Sequence, residues 1–286
     1  MKKIEIIVVG CANMDILGVP EGTFTLRDSN IGHVLFRPGG VGRNIAERCA
    51  ALPAKTALIA AFGNDKNAEA LIADCELKGI DASLSLRFDE PSSIYLCVHD
   101  GAGDMIAAVN DMRLSKRLTR EALAPLIPSI NAAGVCVLDA NLPEDTLLFL
   151  ADAVTVPLIA DPVSLVKAPR LVPILPRLAA FKPNLSEALA LSGADSPEQA
   201  AQWLLQRGVK RAFISMGREG VYFADAGDCG ALRPAKIETA PQTGAGDAFT
   251  AGAARAVLNG APVRVCAQAG MDAAADFLRA KYGSEA

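Results

Sequence analysis

The sequence predicts an α/β fold in which helices cover both faces of a doubly wound, mostly parallel sheet. Residues 4–9 form a continuous apolar run, which is typical of a central parallel strand buried on both faces. From residue 119 onward, short apolar strands and helical stretches alternate, as expected for repeated βα units. The length of 286 residues allows one elaborated domain or two, with a large buried core.

The individual elements follow from this alternation. We predict parallel strands at 4–9, 56–62, 135–138, 158–161, 180–182 and 211–215, and antiparallel edge strands at 221–224 and 230–232. The predicted helices are 45–52, 65–77 with Asp65 as N-cap, 119–132, one from 144, two between strands 180–182 and 211–215, and the closing pair 244–259 and 263–280. The strand-like segments 23–36 and 92–109 are predicted to pair as a separate small sheet that acts as a lid.

Composition excludes several classes of function. The net charge of −4 and the scarcity of aromatic residues argue against a nucleic-acid-binding protein. The seven cysteines are scattered without a C-x-x-C pair, which predicts reduced thiols in a cytosolic protein rather than a zinc site. No signal peptide or membrane-spanning segment is expected, so we predict a cytoplasmic protein.

The stretch 241–249 carries the strongest chemical signal. The sequence Thr243-Gly244-Ala245-Gly246-Asp247 reads as a tight glycine turn that leads into a helix ending before Gly260. Unpaired N–H groups and the helix dipole at such a terminus make an anion pocket suited to phosphate. Asp247 has two interpretations: an acid that suits a first helical turn, or a base that accepts a hydroxyl proton during phosphoryl transfer.

The same four letters recur at residues 101–104, where they predict something different. Apolar, strand-like segments flank this second copy on both sides, so it is predicted to be a hairpin turn without an anion pocket. The context of the tetrapeptide, rather than the tetrapeptide itself, therefore indicates the site.

Other polar residues follow predicted strands, and each has a structural alternative. Asn13 and Asp15 could bind sugar hydroxyls together or serve only a turn. The glycine-rich stretch 39–42 before Asn44 could approach a ligand or merely introduce a helix. Asn184 and Glu187 fit a capping box, which is compatible with a Glu directed at water or magnesium. A P-loop, a dinucleotide fingerprint and a G-x-S-x-G motif are all absent from the sequence, which disfavours those enzyme classes.

Taken together and in order, these motifs resemble those of the ribokinase-like sugar and nucleoside kinases along essentially the whole chain. The matching positions are Asn13-Met14-Asp15, Gly39-Gly40 with Asn44, Asn184 with Glu187, Ser215-Met216-Gly217, and 243–247. Within the family, stretches 39–47, 138–143, 161–164 and 167–168 resemble pseudouridine kinases. The resemblance implies a Rossmann-like αβα sandwich, a single domain over 1–286, and a β lid formed by about 17–38 and 92–112.

The resemblance also implies the roles of individual residues. Asp247 would be the base for the 5′-hydroxyl of pseudouridine, and the Gly244, Ala245 and Gly246 amides would neutralise charge on the phosphoryl group from ATP. Thr243, Gly244, Gly246, Asn184 and Gly217 would lie along the ATP site, and Asn184 and Glu187 would organise Mg²⁺ through water. Asn13, Asp15, Gly40 and Asn44 would hold the ribose, with Asp139 as a further candidate and Ser93 facing the base.

Two departures from the family pattern narrow the expected chemistry. Val41 stands where free-sugar kinases of this family often have lysine, which disfavours ribose as substrate. Pro241 stands where many members have an aspartate that helps to bind a monovalent cation, which argues against potassium activation. The alternatives are a kinase for another nucleoside or sugar and a non-catalytic ligand sensor. We also expect a homodimer through the lid, because so small a sheet cannot bury both faces.

Overall fold

The computed structural model describes residues 3–100, 102, 104–234 and 244–282. The strands are β1 (Ile6–Val9), β2 (Asn13–Pro20), β3 (Gly32–Gly39), β4 (Thr56–Ile59), β5 (Ala61–Phe62), β6 (Ile80–Asp81), β7 (Leu86–Arg87), β8 (Ile94–His99), β9 (Met105–Asp111), β10 (Val135–Asp139), β11 (Leu158–Asp161), β12 (Leu178–Phe181), β13 (Ala212–Ser215), β14 (Val221–Ala224) and β15 (Cys229–Leu232). The helices are α1 (Val41–Ala51), α2 (Lys66–Leu77), α3 (Arg120–Leu123), α4 (Ile127–Asn131), α5 (Glu144–Ala153), α6 (Leu185–Ser192), α7 (Pro197–Gln206), α8 (Ala245–Leu258) and α9 (Val263–Tyr282).

The large sheet has the order β15-β14-β13-β12-β11-β10-β1-β4-β6, which confirms the predicted doubly wound architecture. Between β13 and β6 in this order, every pair of neighbouring strands is parallel. Strands β14 and β15 add the predicted antiparallel edge. The chain leaves β1 toward β4 on one side and later builds β10 on the other. In such open sheets the reversal of strand order creates a ligand crevice at the carboxyl ends of the strands.

Alternation along β1 shows how the sheet divides the core. Ile6 and Val8 pack into one apolar cluster with buried residues of α1, α2 and α8. Ile7 and Val9 pack into the other cluster, which includes buried residues of α5 and α7. Successive side chains of a strand point to opposite faces, so a continuously apolar strand requires helices on both sides.

The predicted small sheet is present, with the order β3-β2-β8-β9. Its bounds differ from the prediction, because β2 starts at Asn13 and residues 23–31 form no strand. There the Asn30 side chain bonds both the amide and the carbonyl group of Thr25, at 2.7 and 2.9 Å. These side-chain bonds satisfy backbone groups that a strand partner would otherwise pair.

The predicted helix 119–132 was wrong as a single element. Thr119 caps the short helix α3, a 3₁₀ turn covers Ala124–Leu126, and α4 follows. Pro125 and Pro128 are the second residues of the second and third pieces. Each proline removes an amide donor from the α-helical ladder, so the stretch is divided where they occur.

In the described ranges, no helix combines the length and the apolar character that a bilayer crossing requires. All seven cysteines are free, and all except Cys229 are buried. Burial raises the pKa of the Cys49 thiol to about 12, which keeps it protonated and unreactive near neutral pH.

Candidate active site

Polar side chains gather at the carboxyl edge of the large sheet. Asp139 and Asp161 end the neighbouring strands β10 and β11 and are register partners. Lys182 follows β12, and Ser215 ends β13. This edge is otherwise made of apolar strands, so these four positions mark where the fold departs from pure core packing.

The predicted glycine turn leads into α8, as expected. Gly244 is the N-cap in the left-handed conformation, with φ +91°, and no side chain caps the helix. A Cβ atom at Gly244 would lie 2.9 Å from the Phe277 ring, so both the backbone conformation and the packing favour glycine. The first amides of α8 have no acceptor within the helix, and the dipole adds positive potential. Thr243 and Pro241 lie outside the described residues.

Asp247 lies in the first turn of α8 and is partly buried. Burial and the neighbouring Asp161 carboxylate raise the pKa of Asp247 to about 7, against the opposing effects of Lys182, of the nearby Asn44 amide and of Arg48. A carboxylate with a pKa near the working pH is suited to accept a proton and release it again. The environment thus gives Asp247 more than the role of a first-turn acid.

Lys182 was not predicted, and it is the cation at the centre of this acidic group. Its Nζ lies 3.3 Å from Asp161 Oδ2, and it would be 3.3 Å from a Cβ atom on Gly246. Burial alone would lower the pKa of Lys182, but Asp161, Asp247 and Glu187 together raise it. Lys182 therefore stays charged and offsets the repulsion among three carboxyl groups.

Asn184 and Glu187 form the predicted capping box of α6. The Glu187 amide donates to Asn184 Oδ1 at 2.9 Å, and the Asn184 amide donates to Glu187 Oε2 at 2.8 Å. Burial raises the pKa of Glu187. Asn184 also bridges to Ser215, two residues before Gly217, so the structure brings these predicted residues together at the ends of β12 and β13.

The predicted ribose-binding residues lie where the small sheet joins α1. Asn13 Nδ2 donates to Asp15 Oδ1 at 2.6 Å. Gly40, with φ +96°, is the N-cap of α1, and a Cβ atom there would lie 2.5 Å from the Cys11 carbonyl oxygen. Asn44 on α1 reaches Asp247. Ser93 lies beside this group, because its carbonyl oxygen accepts the Met14 amide at 2.9 Å.

Asp139 is not placed as a ribose ligand, in contrast to the prediction. Its side chain is completely buried. Its Oδ2 accepts the amides of Cys11 and Gly42, each at 2.8 Å, and its Oδ1 accepts the amide of Asn141 at 2.8 Å. The carboxylate is committed to three backbone donors, so it connects three loops of the site rather than reaching into it.

The class of protein that carries this site follows from sequence similarity to a known family. Residues 3–285 match the family described as pfkB family carbohydrate kinase. The chain belongs to the pfkB family. Kinases of this family are phosphotransferases that use ATP with Mg²⁺ and an alcohol group as acceptor.

Individual pfkB-family relatives cover most of the chain. It is 37% identical over 269 residues to a pseudouridine kinase from Escherichia coli (strain K12), which covers 91% of this chain and 86% of the relative. It is 31% identical over 264 residues to an uncharacterized sugar kinase from the same strain, covering 89% and 72% of the two chains. A carbohydrate kinase from Agrobacterium tumefaciens has the same fold, with a TM-score of 0.84, 29% identity and coverage of 95% and 90%.

The residues present fit the phosphate and metal that pfkB-family kinases use. The α8 terminus offers amides to phosphate, and Asp161, Glu187 and Asp247 place three carboxyl groups around one ammonium group. In the parts of the chain that the structure describes, no three metal-binding side chains form a cage. Mg²⁺ commonly binds through substrate phosphates and water with only one or two carboxylates, so this acidic surrounding suits it.

A cleft of about 1270 Å³ opens beside the loop that follows β10. Asn141 and Lys167 line it, and Lys167 Nζ donates to Asn141 Oδ1 at 2.5 Å. Neither residue was predicted from the sequence as part of a site. Both residues lie in stretches of the sequence that resemble pseudouridine kinases, which was a partial indication of a role. Their contact joins positions 26 residues apart, so only the folded structure shows that they pair.

Proposed function

We propose that this pfkB-family kinase transfers the γ-phosphoryl group of ATP to the 5′-hydroxyl of pseudouridine. The observation that carries the proposal is the position of Asp247. It lies in the first turn of α8, beside an unpaired helix terminus, and Asn44, one of the predicted ribose-binding residues, lies next to it. A base between a phosphate pocket and a sugar site suits hydroxyl phosphorylation. The 37% identity to an E. coli pseudouridine kinase supports the choice of nucleoside.

In the proposed mechanism, Asp247 accepts the hydroxyl proton as the hydroxyl oxygen forms its bond to phosphorus and the bond to the leaving ADP oxygen breaks. The Gly244, Ala245 and Gly246 segment supplies amides to the charge on the transferring group. Bound ATP–Mg²⁺ supplies the phosphoryl group and neutralises charge on the phosphates. Asn184 and Glu187 would hold Mg²⁺ through water.

The proposed binding roles divide between sugar, base and nucleotide. Asn13, Asp15, Gly40 and Asn44 hold the ribose, and Ser93 lies on the side of the base. Gly217, at the end of β13, and Thr243, outside the described residues, belong to the ATP side. We further propose that residues 1–286 act as one kinase domain and that the small sheet is its lid.

A phosphorylation screen with ATP against pseudouridine, uridine, ribose and fructose tests the assignment. Pseudouridine has a ring N–H that uridine lacks, and a site built to bond it leaves a polar group unpaired with uridine. We expect kcat/KM to favour pseudouridine over uridine by roughly 5- to 150-fold, from a cost of about 1–3 kcal/mol. Ribose should be poorer again, because it brings no base to bury.

Other results of the screen would assign the alternatives. Equal efficiencies for the two nucleosides, or a preference for ribose, would reject pseudouridine and leave a kinase for another nucleoside or sugar. The 31% identity to an uncharacterized sugar kinase makes that the second candidate. Binding of a nucleoside without any phosphate transfer would instead indicate a sensor.

We also propose a homodimer formed through the small sheet. One register row across this sheet contains an apolar residue from each strand: Phe36, Ile16, Leu96 and Val109. The side chains of Phe36, Leu96 and Val109 are 62%, 41% and 64% exposed. On β2, Ile16 points away from the face that bears Asn13 and Asp15, because successive residues alternate. An apolar row on an outer face is typical of a protein interface.

Light scattering at micromolar concentration should therefore give the mass of a dimer. Phe36→Asp should shift it to a monomer, because a buried unpaired charge is costly at an interface. Leu77→Asp is the matched control, since Leu77 is 83% exposed at the end of α2 and should leave the mass unchanged. A fully active wild-type monomer would contradict the proposal.

A further inference from the structure

Arg43 is a buried arginine beside the proposed site, and the function proposed above gives it no role. Its side chain is only 4% exposed. Nη1 lies 3.0 Å from Asn44 Oδ1 and 2.6 Å from Glu47 Oε2, and Nη2 pairs with Asp74. Two carboxylates, one on α1 and one on α2, therefore fix the plane of the guanidinium group.

The chemistry of arginine decides which way the Asn44 amide faces. A guanidinium group only donates hydrogen bonds, whereas an asparagine side chain has one accepting oxygen and one donating nitrogen. Because Arg43 takes the Asn44 oxygen, the Asn44 NH₂ group is left to face the neighbouring Asp247 carboxylate. The opposite orientation would place the Asn44 oxygen against Asp247 and its nitrogen against a cation.

We propose that Arg43 is a positioning residue that fixes the orientation of Asn44, so that the Asn44 amide donates to Asp247. The inference rests on the proposed function for its importance, although the orientation itself is a property of the unliganded protein. Arg43 does not contact Asp247 through any bond in this arrangement; it acts through Asn44.

Several other groups face Asp247, and they must be kept constant in any test. These are Asp161 at the end of β11, Lys182 after β12, and Arg48 on α1. Arg48 is itself held by Glu47 at 3.5 Å and by the Phe277 ring at 4.2 Å. Arg43→Lys keeps the charge near these groups while removing the planar fork, so it changes the geometry more than the electrostatics.

A double-mutant cycle separates positioning from a structural role. The variants are Arg43→Lys, Asn44→Ala and the double variant, and two quantities are measured in each. The first is the pKa of the Asp247 carboxyl group in the unliganded protein, followed by ¹³C NMR, which needs no activity. The second is kcat/KM with the best acceptor from the screen.

We expect Arg43→Lys to raise the Asp247 pKa by about 0.5–1 unit, because the carboxylate loses a steady donor. We expect kcat/KM to fall about tenfold, within the usual coupling of contacting residues. In the Asn44→Ala background the same change should have almost no effect on either quantity. Arg177→Lys, which removes a guanidinium bonded to the Ala151 and Val154 carbonyl groups, should leave the Asp247 pKa unchanged.

Equal effects of Arg43→Lys in both backgrounds would overturn the proposal. If Arg43→Lys does not fold, Asn44→Leu is the second variant. It keeps a similar shape and adds no charge beside Asp247, but it removes the donor facing the carboxylate, so the Asp247 pKa should rise, and an unchanged pKa would reject the proposal. A failure of the proposed function looks different, since wild-type protein would then transfer no phosphate although the NMR cycle still shows coupling.

Discussion

Replacing Asp247 by asparagine is expected to lower kcat by at least about 100-fold, the usual scale for loss of a general base. Asparagine preserves the shape of the side chain, so folding and ATP binding should persist. Below about pH 7 the wild-type kcat/KM should fall as Asp247 becomes protonated, because a protonated carboxyl cannot accept the hydroxyl proton. Steady-state kinetics from pH 5 to 9 measure both effects, and the Asp247-dependent limb should be absent from the residual activity of Asp247→Asn.

The chain provides its own control for this substitution. Asp104 is the last residue of the second copy of the same tetrapeptide, between β8 and β9, and its carbonyl oxygen accepts the Asp100 amide at 2.8 Å. Strand β9 follows Asp104, in contrast to the helix that follows the first copy, so Asp104→Asn should retain wild-type kinetics. Near-normal turnover of Asp247→Asn would remove Asp247 from the mechanism.

Replacing Lys182 by methionine is expected to have the second large effect. The change leaves Asp161, Glu187 and Asp247 without their shared cation, and removing one partner of a buried ion pair costs about 3–5 kcal/mol of unfolding free energy. The activity at pH 7 should fall at least about tenfold, because the Asp247 pKa rises further and less of the base is ionised.

The stability loss caused by Lys182→Met should depend on pH in a defined direction. Lys182 opposes the rise in pKa that burial gives Asp247 and Glu187, so without this cation both pKa values rise further, and the two carboxyl groups take up protons as the pH falls. Urea unfolding should therefore show a larger loss at pH 8 than at pH 5. Lys66→Met, on the exposed start of α2, should change stability by no more than about 0.5 kcal/mol. An equal loss at both pH values would contradict the role given to Lys182.

The parts of the site that the sequence predicted are local in the chain. The glycine turn before α8 and the capping box of Asn184 and Glu187 each depend on residues within a few positions of one another. Such motifs carry their own geometry, because the bonds they make are to neighbouring backbone groups. The same holds for the alternation of strands and helices, which gave the architecture of the large sheet.

The residues that were missed or misassigned depend on long-range contacts. Lys182 reaches Asp161 only because β11 and β12 are adjacent in the sheet. Asp139 looked like a ligand at a strand end, yet its carboxylate is occupied by amides 128 and 97 positions away. Whether a polar side chain at a strand end faces the crevice or supports a loop is decided by the whole fold, which a linear pattern does not contain.

The most direct test of the central claim is the identity of the product formed from pseudouridine and ATP. Incubation with ATP that carries ¹⁸O in its γ-phosphoryl group, followed by ³¹P NMR of the purified nucleoside monophosphate, shows which hydroxyl oxygen carries the labelled phosphoryl group. The proposed mechanism predicts one labelled phosphate on the 5′-oxygen, formed by the wild-type protein and lost in Asp247→Asn. Label in inorganic phosphate alone, or on a different hydroxyl group, would contradict it.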